Sequence, residues 1–198
     1  MSRLKAARKK VDLMGFSLHV WTRGENFESE LLSLVEHGVQ VRILIMGENN
    51  PHLESILNVE QIPSISTAAV REELRVAQRV FGRIGEEARR LRLAGSYDFR
   101  TLNRGLILCQ LCRTDSRLTM VQYLFSEVAS RTPLLEVIGD DAALYRVYMN
   151  EFESLWRLES PVSERGPHDL CTRPAIGTGI PTPSEPAGGA STAGDAAR

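Results

Sequence analysis

The run VQVRILIM, Val39 to Met46, constrains the fold more than any other stretch of the chain. It starts in alternation and passes into a nearly continuous apolar run, the pattern of a strand buried on both faces of a parallel sheet. The residues before it fit that placement. In ENFESELLSLVEHG the apolar residues Phe27, Leu31, Leu34 and Val35 share one helical face, and Gly38 sits just past a helix end. Further upstream VDLMGFSLHV (Val11 to Val20) reads as a strand, preceded by a short basic helix or helix end. Strand, helix and strand make a β-α-β unit with a right-handed crossover.

A long helix is predicted next, over Ala68 to Leu93. Val70, Leu74, Ala77, Phe81, Ile84, Ala88 and Leu91 are spaced alternately four and three apart, a seam of about three heptads. Such a seam faces either a sheet or a second copy of the chain. The sheet is the expected partner, because one long helix commonly covers a sheet face in this class. Arg71, Arg75, Arg79 and Arg83 form a stripe on the same helix, read as a solvated face paired with Glu72, Glu73, Glu86 and Glu87.

The second half is richer in strands: Tyr97 to Leu102, Leu106 to Cys112, Leu118 to Phe125 and Leu134 to Ile138. A final helix, Asp141 to Trp156, presents Leu144, Tyr148, Phe152, Leu155 and Trp156. The expected fold is a single α/β domain, a mixed-sheet sandwich with helices on both faces, over residues 1–160. From Pro161 the composition turns to Pro, Gly, Ser, Thr and Ala without aromatics. A segment of that kind cannot bury enough apolar surface to offset its ordering entropy, so 161–198 is expected to be a disordered tail carrying His168 and Cys171.

A net charge of −1 gives no global attraction to nucleic acid or to an anionic membrane. No run reaches the ~20 apolar residues of a membrane span. The basic start of the chain lacks the apolar core of a secretory signal, and three cysteines do not make a disulfide framework. The expectation is a cytoplasmic protein with no membrane partner.

The stretch LCQLCRTD, Leu108 to Asp115, holds a Cys-x-x-Cys spacing. On a strand, side chains at i and i+3 point to opposite faces, so Cys109 and Cys112 read as small buried residues and not as a metal or redox pair. No Gly-x-Ser-x-Gly elbow, P-loop, Gly-x-Gly-x-x-Gly or His-Glu-x-x-His motif is present. No metal and no cofactor is implied. His37 precedes the helix-ending Gly38. His19 ends the first strand in SLHVWTR and His52 follows the second in GENNPH, beyond the carboxyl ends of parallel strands where α/β folds collect ligands. Both also read as ordinary exposed loop histidines.

Taken in order, these elements resemble one half of the phospholipase D-like fold. In active members a later strand carries His-x-Lys-x-x-x-x-Asp, with the histidine as nucleophile and the lysine stabilising phosphoryl charge. With Asp115 as the aspartate, Leu108 falls at the histidine position and Gln110 at the lysine position. Leucine is no nucleophile and glutamine brings no positive charge. A narrower resemblance is to bacterial regulators whose phospholipase D-like domain lacks the catalytic motif and usually stands behind a DNA-binding helix-turn-helix. Their pattern of "GVxVRxLL", "xxRxD", a Ser-Pro-like turn and a "Y…FExxW" helix is matched by GVQVRILIM, LCRTD, SRTPLLEVI and YMNEFESLW, between Lys5 and Arg157. No helix-turn-helix is expected ahead of the first strand, and the arm RLKAARKK is too short to specify sequence, so sequence-specific DNA binding by this chain alone is not expected.

The resemblance implies a non-catalytic sensor or interaction domain. His19, Arg23, Asn49, Asn50, Arg113, Asp115 and Arg117 are the expected polar set near one sheet end, with Arg113 and Arg117 offering forked donors to a phosphorylated or anionic small ligand. Salt bridges of these arginines to Asp115 are the structural alternative. An enzyme reading remains open as well, a phosphodiesterase with a displaced nucleophile at His19 or His52. Active relatives pair two half-domains, so the resemblance also implies a homodimer.

Overall fold

The computed structural model describes residues 4–54, 66–124 and 131–159. The predicted tail over 161–198, with His168 and Cys171, lies outside the described residues, as does Phe125. A 3-10 turn at Leu4–Ala6 leads into β1 (Lys10–Gly15), then α1 (His19–Thr22), α2 (Phe27–Glu36) and β2 (Gln40–Met46). There follow α3 (Thr67–Arg90), β3 (Ser96–Leu102), β4 (Cys109–Thr114), β5 (Arg117–Gln122), β6 (Leu134–Ile138) and α4 (Ala143–Leu158). The strands form one mixed sheet in the order β3-β2-β1-β4-β5-β6. β1, β2 and β3 run parallel, and β4, β5 and β6 are each antiparallel to the neighbour before them in that order.

The parallel half owes its form to the β-α-β unit read in the sequence. α2 buries Phe27, Leu31, Leu34 and Val35, the four residues of the predicted stripe. Gly38 follows with φ +83, a left-handed conformation that glycine adopts without steric cost. In β2 the residues Val41, Ile43, Leu44, Ile45 and Met46 are fully buried, because the strand lies inside the sheet between two helical layers.

One layer holds α2 and much of α3 over Val11, Leu13, Val41, Ile43 and Ile45. The other holds α4 over Met14, Leu44, Met46, Leu111, Leu118 and Met120. Helices thus cover both faces. Of the long-helix seam, Val70, Leu74, Ala77, Phe81, Ile84 and Ala88 are buried within the chain, while Leu91 lies past the helix end and is half exposed. The seam is core, not a surface for a second copy. The arginine stripe is paired, with Glu72 as predicted and otherwise with glutamates outside the predicted set. Arg71 meets Glu54, Arg75 meets Glu48 and Glu72, Arg79 meets Glu72, and Arg83 meets Glu28. Exposed pairs of this kind contribute little to stability.

Three elements depart from the sequence reading. The first strand stops at Gly15, five residues before Val20. A side chain at Gly15 would bring a Cβ within 2.5 Å of Leu18 Cδ2, and Leu18 itself takes φ 53, so the chain folds back into α1. His19 therefore opens a helix and does not end a strand. The strand predicted over Leu106 to Cys112 runs from Cys109 to Thr114. In α4 Phe152, Leu155 and Trp156 are buried as predicted, but over the first two turns the inward stripe is rotated by one residue. Tyr145 and Met149 are buried, whereas Leu144 is 44% exposed. Tyr145 sets that rotation with its hydroxyl, which donates to the backbone oxygen of Asp115 at 2.9 Å.

Candidate functional site

The most concentrated chemistry lies under α4. Asp12, Arg42, Asp98 and Arg113 occupy one transverse row, since Asp12 pairs in register with Arg42 and Arg113, and Arg42 with Asp98. The row therefore alternates in charge across four adjacent strands. Asp12 is fully buried. Arg42 grips it with Nε at 2.8 Å from Oδ1 and Nη2 at 3.0 Å from Oδ2, a two-pronged pairing that only a guanidinium can make. The same Arg42 reaches Glu153 of α4 through Nη2 at 2.6 Å and Nη1 at 3.2 Å. Arg113 brings Nη2 to 2.5 Å from Asp12 Oδ2, an ion pair whose angle does not make a hydrogen bond, and its Nε has no hydrogen-bond partner among the described residues.

Aromatic rings seal the row. Phe152 and Trp156 stack with centroids 5.6 Å apart. The Arg42 guanidinium carbon lies 4.8 Å from the Phe152 centroid and 5.3 Å from that of Trp156, and Arg100 lies 4.2 Å from Trp156. Positive charge over an aromatic face is favoured by the ring quadrupole. Burial by itself lowers the affinity of Arg42 for its proton, but the Asp12 and Glu153 carboxylates outweigh it and the pKa is raised. Burial raises that of Glu153, and Arg42 outweighs it, so the Glu153 pKa is lowered. Two guanidiniums and the carboxylates of Asp12 and Glu153 make a charge-balanced cluster, with Asp12 buried at its centre and Glu153 at its solvent edge.

The predicted ligand set does not converge on one end of the sheet. β4 is antiparallel to β1, with Thr114 opposite Val11, which carries the β4–β5 turn to the amino end of the parallel strands. There Asp115 accepts backbone N–H groups from Arg8 at 2.9 Å, Lys9 at 2.8 Å and Lys10 at 2.9 Å. Burial pushes its pKa up, but these three donors outweigh burial and the carboxyl is held below its ordinary value. Arg117 pairs with Glu136 at 2.8 Å, and Arg113 is occupied by the buried row. His19, Arg23, Asn49 and Asn50 lie beyond the carboxyl ends of β1 and β2.

Within that second group Asn50 is a buried staple. Its amide donates to the oxygens of Leu102 at 2.9 Å and Gly105 at 3.0 Å, and its own oxygen accepts from the His52 backbone. Arg23 and Asn49 are exposed. His19 is the chemically distinctive member. Its Nδ1 lies 3.0 Å from Glu73 Oε1, and the Ser17 hydroxyl donates to that same carboxylate oxygen. Both neighbours thus lie on the Nδ1 side of the ring, unlike a catalytic triad in which serine and acid flank opposite nitrogens.

Leu108 and Gln110, at the signature's histidine and lysine positions, hold no charge. Leu108 stands outside β4 and is 56% exposed, while Gln110 lines a shallow cavity of about 190 Å³ with Trp21, Cys112, Thr119, Val121 and Leu134. Cys109 and Cys112 belong to opposite hydrophobic layers, as alternation on a strand requires. Burial pushes the Cys109 thiol up to about 11.

Sequence reasoning missed Asp12, Arg42, Asp98, Arg100 and Glu153 as a group. The available signal was charge inside apolar runs, Asp12 in VDLM and Arg42 in VQVRILIM, together with the aromatic-acid-aromatic spacing of FESLW. Fold and network define an α/β domain with a six-stranded mixed sheet and a charged layer beneath one helix. Among the described residues, no helix is long and apolar enough to cross a membrane. The chain matches no protein-family profile and no curated sequence. Among solved structures it is similar to TrmBL2, an archaeal chromatin protein whose structure shows a novel mode of DNA binding. Identity is 14%, the TM-score is 0.47, and the match covers 81% of this chain and 48% of that one, so the chain spans about half the length of TrmBL2.

Proposed function

We propose that this chain is a non-catalytic regulatory or interaction domain of phospholipase D-like descent, cytoplasmic and acting as a homodimer. The observation that carries the reading is how its motif residues are used. Arg42, Arg113, Asp115, Phe152, Glu153 and Trp156, the residues through which the chain resembles motif-lacking regulators, are engaged in holding strands to helix or turn to strand. Leucine and glutamine stand where a phosphodiesterase places its nucleophile and its cation. An anionic or phosphorylated ligand, on this reading, is met at the His19, Arg23 and Asn49 end. A thermal-shift panel of nucleotides, phosphosugars and lipid headgroups tests that part. A ligand at 100 times its Kd adds about 2.7 kcal/mol, several degrees for a domain of this size. A shift lost in Arg23→Ala supports the sensor. A flat panel on folded protein leaves interaction as the function.

One observation favours the enzyme as a second reading. Glu73 holds Nδ1 of His19, and an acid on one ring nitrogen orients the other for attack or proton transfer. Hydrolysis of an activated phosphodiester, abolished in His19→Ala and retained in His52→Ala, is the result that would replace the first reading with this one.

A further inference from the structure

We infer that the loop at Asn103 and Arg104 is a cradle for a phosphoryl group, which Glu159 of the same chain occupies as an internal stand-in. The loop follows β3 at the carboxyl end of the parallel strands, where α/β sheets collect ligands. Two successive backbone N–H groups, of Asn103 at 2.8 Å and of Arg104 at 3.1 Å, donate to one oxygen of the Glu159 carboxylate. Successive amides turned on one point form a concavity for negative charge. Arg104 is exposed, enters no ion pair among the described residues, and donates through Nη2 to Leu158 O.

Groups that do not touch the carboxylate hold the cradle in shape. The buried Asn50 amide brackets it, donating to Leu102 O at 2.9 Å and Gly105 O at 3.0 Å, the residues on either side of the pair. Gly47 N–H also donates to Leu102 O, at 2.8 Å, and a Cβ at Gly47 would fall 2.1 Å from Asn103 Oδ1. The Asn103 side chain turns back to Thr101 O at 3.2 Å, so the loop offers Glu159 its backbone donors. Donors fixed beforehand need no reorganisation when an anion arrives. Glu159 is the C-cap residue of α4, and Arg104 holds Leu158 O in the same turn. A ligand that takes both amides and the guanidinium displaces both ties, so ligand and helix end compete. The donor set selects a phosphoryl group. The amides satisfy one oxygen and a guanidinium fork two more, whereas a carboxylate has only two oxygens. The inference rests on the sensor reading for the purpose of such an exchange, and on this geometry for its place.

The test titrates the full chain with inorganic phosphate at constant ionic strength and follows the Asn103 and Arg104 amides by NMR. Glu159→Ala empties the cradle and is expected to lower the phosphate Kd by about tenfold or more, the gain when the parent cradle is open in about one chain in ten. Glu159→Gln keeps the side-chain shape in case alanine disturbs the helix end, and is expected to gain affinity in the same direction. A Kd unchanged from the parent in a folded Glu159 variant overturns the competition, and so does the absence of a saturable shift at the two amides. In the Glu159→Ala background, Arg104→Ala is expected to abolish binding. Binding that is kept in Arg104→Ala and lost in Arg23→Ala overturns the cradle and leaves the site at His19, Arg23 and Asn49 standing. Acetate bound as tightly as phosphate overturns the phosphoryl assignment.

Discussion

Asp12 and Arg42 sit side by side on parallel strands, and the guanidinium grips both carboxylate oxygens at 2.8 and 3.0 Å with Asp12 wholly out of solvent. Asp12→Ala takes its carboxylate from Arg113 and leaves the part-buried Arg42 with Glu153 alone, and is expected to cost about 3–5 kcal/mol. Urea denaturation measures this directly. A loss below about 1 kcal/mol, the value of an exposed pair, would mean that water reaches the row.

Arg42→Lys tests the geometry instead of the charge. Lysine keeps the positive charge but cannot address Asp12 and Glu153 as a fork while stacking on Phe152 and Trp156. The expected cost is about 1.5–3 kcal/mol, that of losing hydrogen bonds to charged groups. An unperturbed midpoint would show that charge alone suffices.

The sequence revealed apolar periodicity well and buried charge poorly, for one physical reason. Phe27, Leu31, Leu34 and Val35 follow a helical period because burial is roughly proportional to apolar area, so their inward face was legible. Arg113 reads as a ligand or salt-bridge arginine at the sheet end, because an isolated arginine belongs in water. Its burial depends on Asp12, a hundred residues away and brought into register only by antiparallel pairing of β1 with β4. The same long-range register carried Asp115 to the opposite end of the sheet from His19. The end of β1 was missed because Phe16 to Val20 remains compatible with a strand, while the left-handed turn at Leu18 leaves no mark in residue type. Leu144 was placed inward on apolar character, and the Tyr145 hydroxyl reaching Asp115 O decides the rotation.

The buried seam makes a contrast between two positions on one helix pattern. Phe81 is fully buried and touches the rings of Phe27 and Phe99 at centroid distances of 6.1 and 5.4 Å. Phe81→Ala is expected to cost about 3–5 kcal/mol. Leu91→Ser, past the helix end and half exposed, is expected to stay within about 0.5 kcal/mol of the parent chain. Similar losses at both positions would restore the seam as a surface between copies.

The two strand cysteines are expected to be silent in the folded protein. Both are buried, on opposite faces of β4, and burial pushes the Cys109 thiol up to about 11. With little thiolate available, maleimide labelling in a Cys171→Ser chain should proceed only as fast as the protein opens. Labelling of either thiol at the rate of a free peptide would contradict the placement of β4 inside the sheet.

Acid sensitivity should trace to Asp115. Its folded pKa is lowered, since the N–H groups of Lys10, Arg8 and Lys9 outweigh the effect of burial. The folded state therefore binds fewer protons than the unfolded state, whose aspartate titrates near ~3.9. The stabilisation is complete above about pH 5 and is lost as pH falls through about 4 toward the lower folded value. Glu153, also lowered, adds in the same direction. Asp115→Asn keeps the side-chain shape but weakens the two bonds that Oδ1 accepts from Lys9 and Lys10 and sets an amide donor against the Arg8 N–H. At neutral pH it should cost about 1–2 kcal/mol, toward the low end for hydrogen bonds to a charged group because Asp115 is part-exposed. The gap between variant and parent should close as both are acidified, because the parent loses the charge that the variant never had. A gap constant with pH would mean that Asp115 anchors the start of β1 by shape and not by charge.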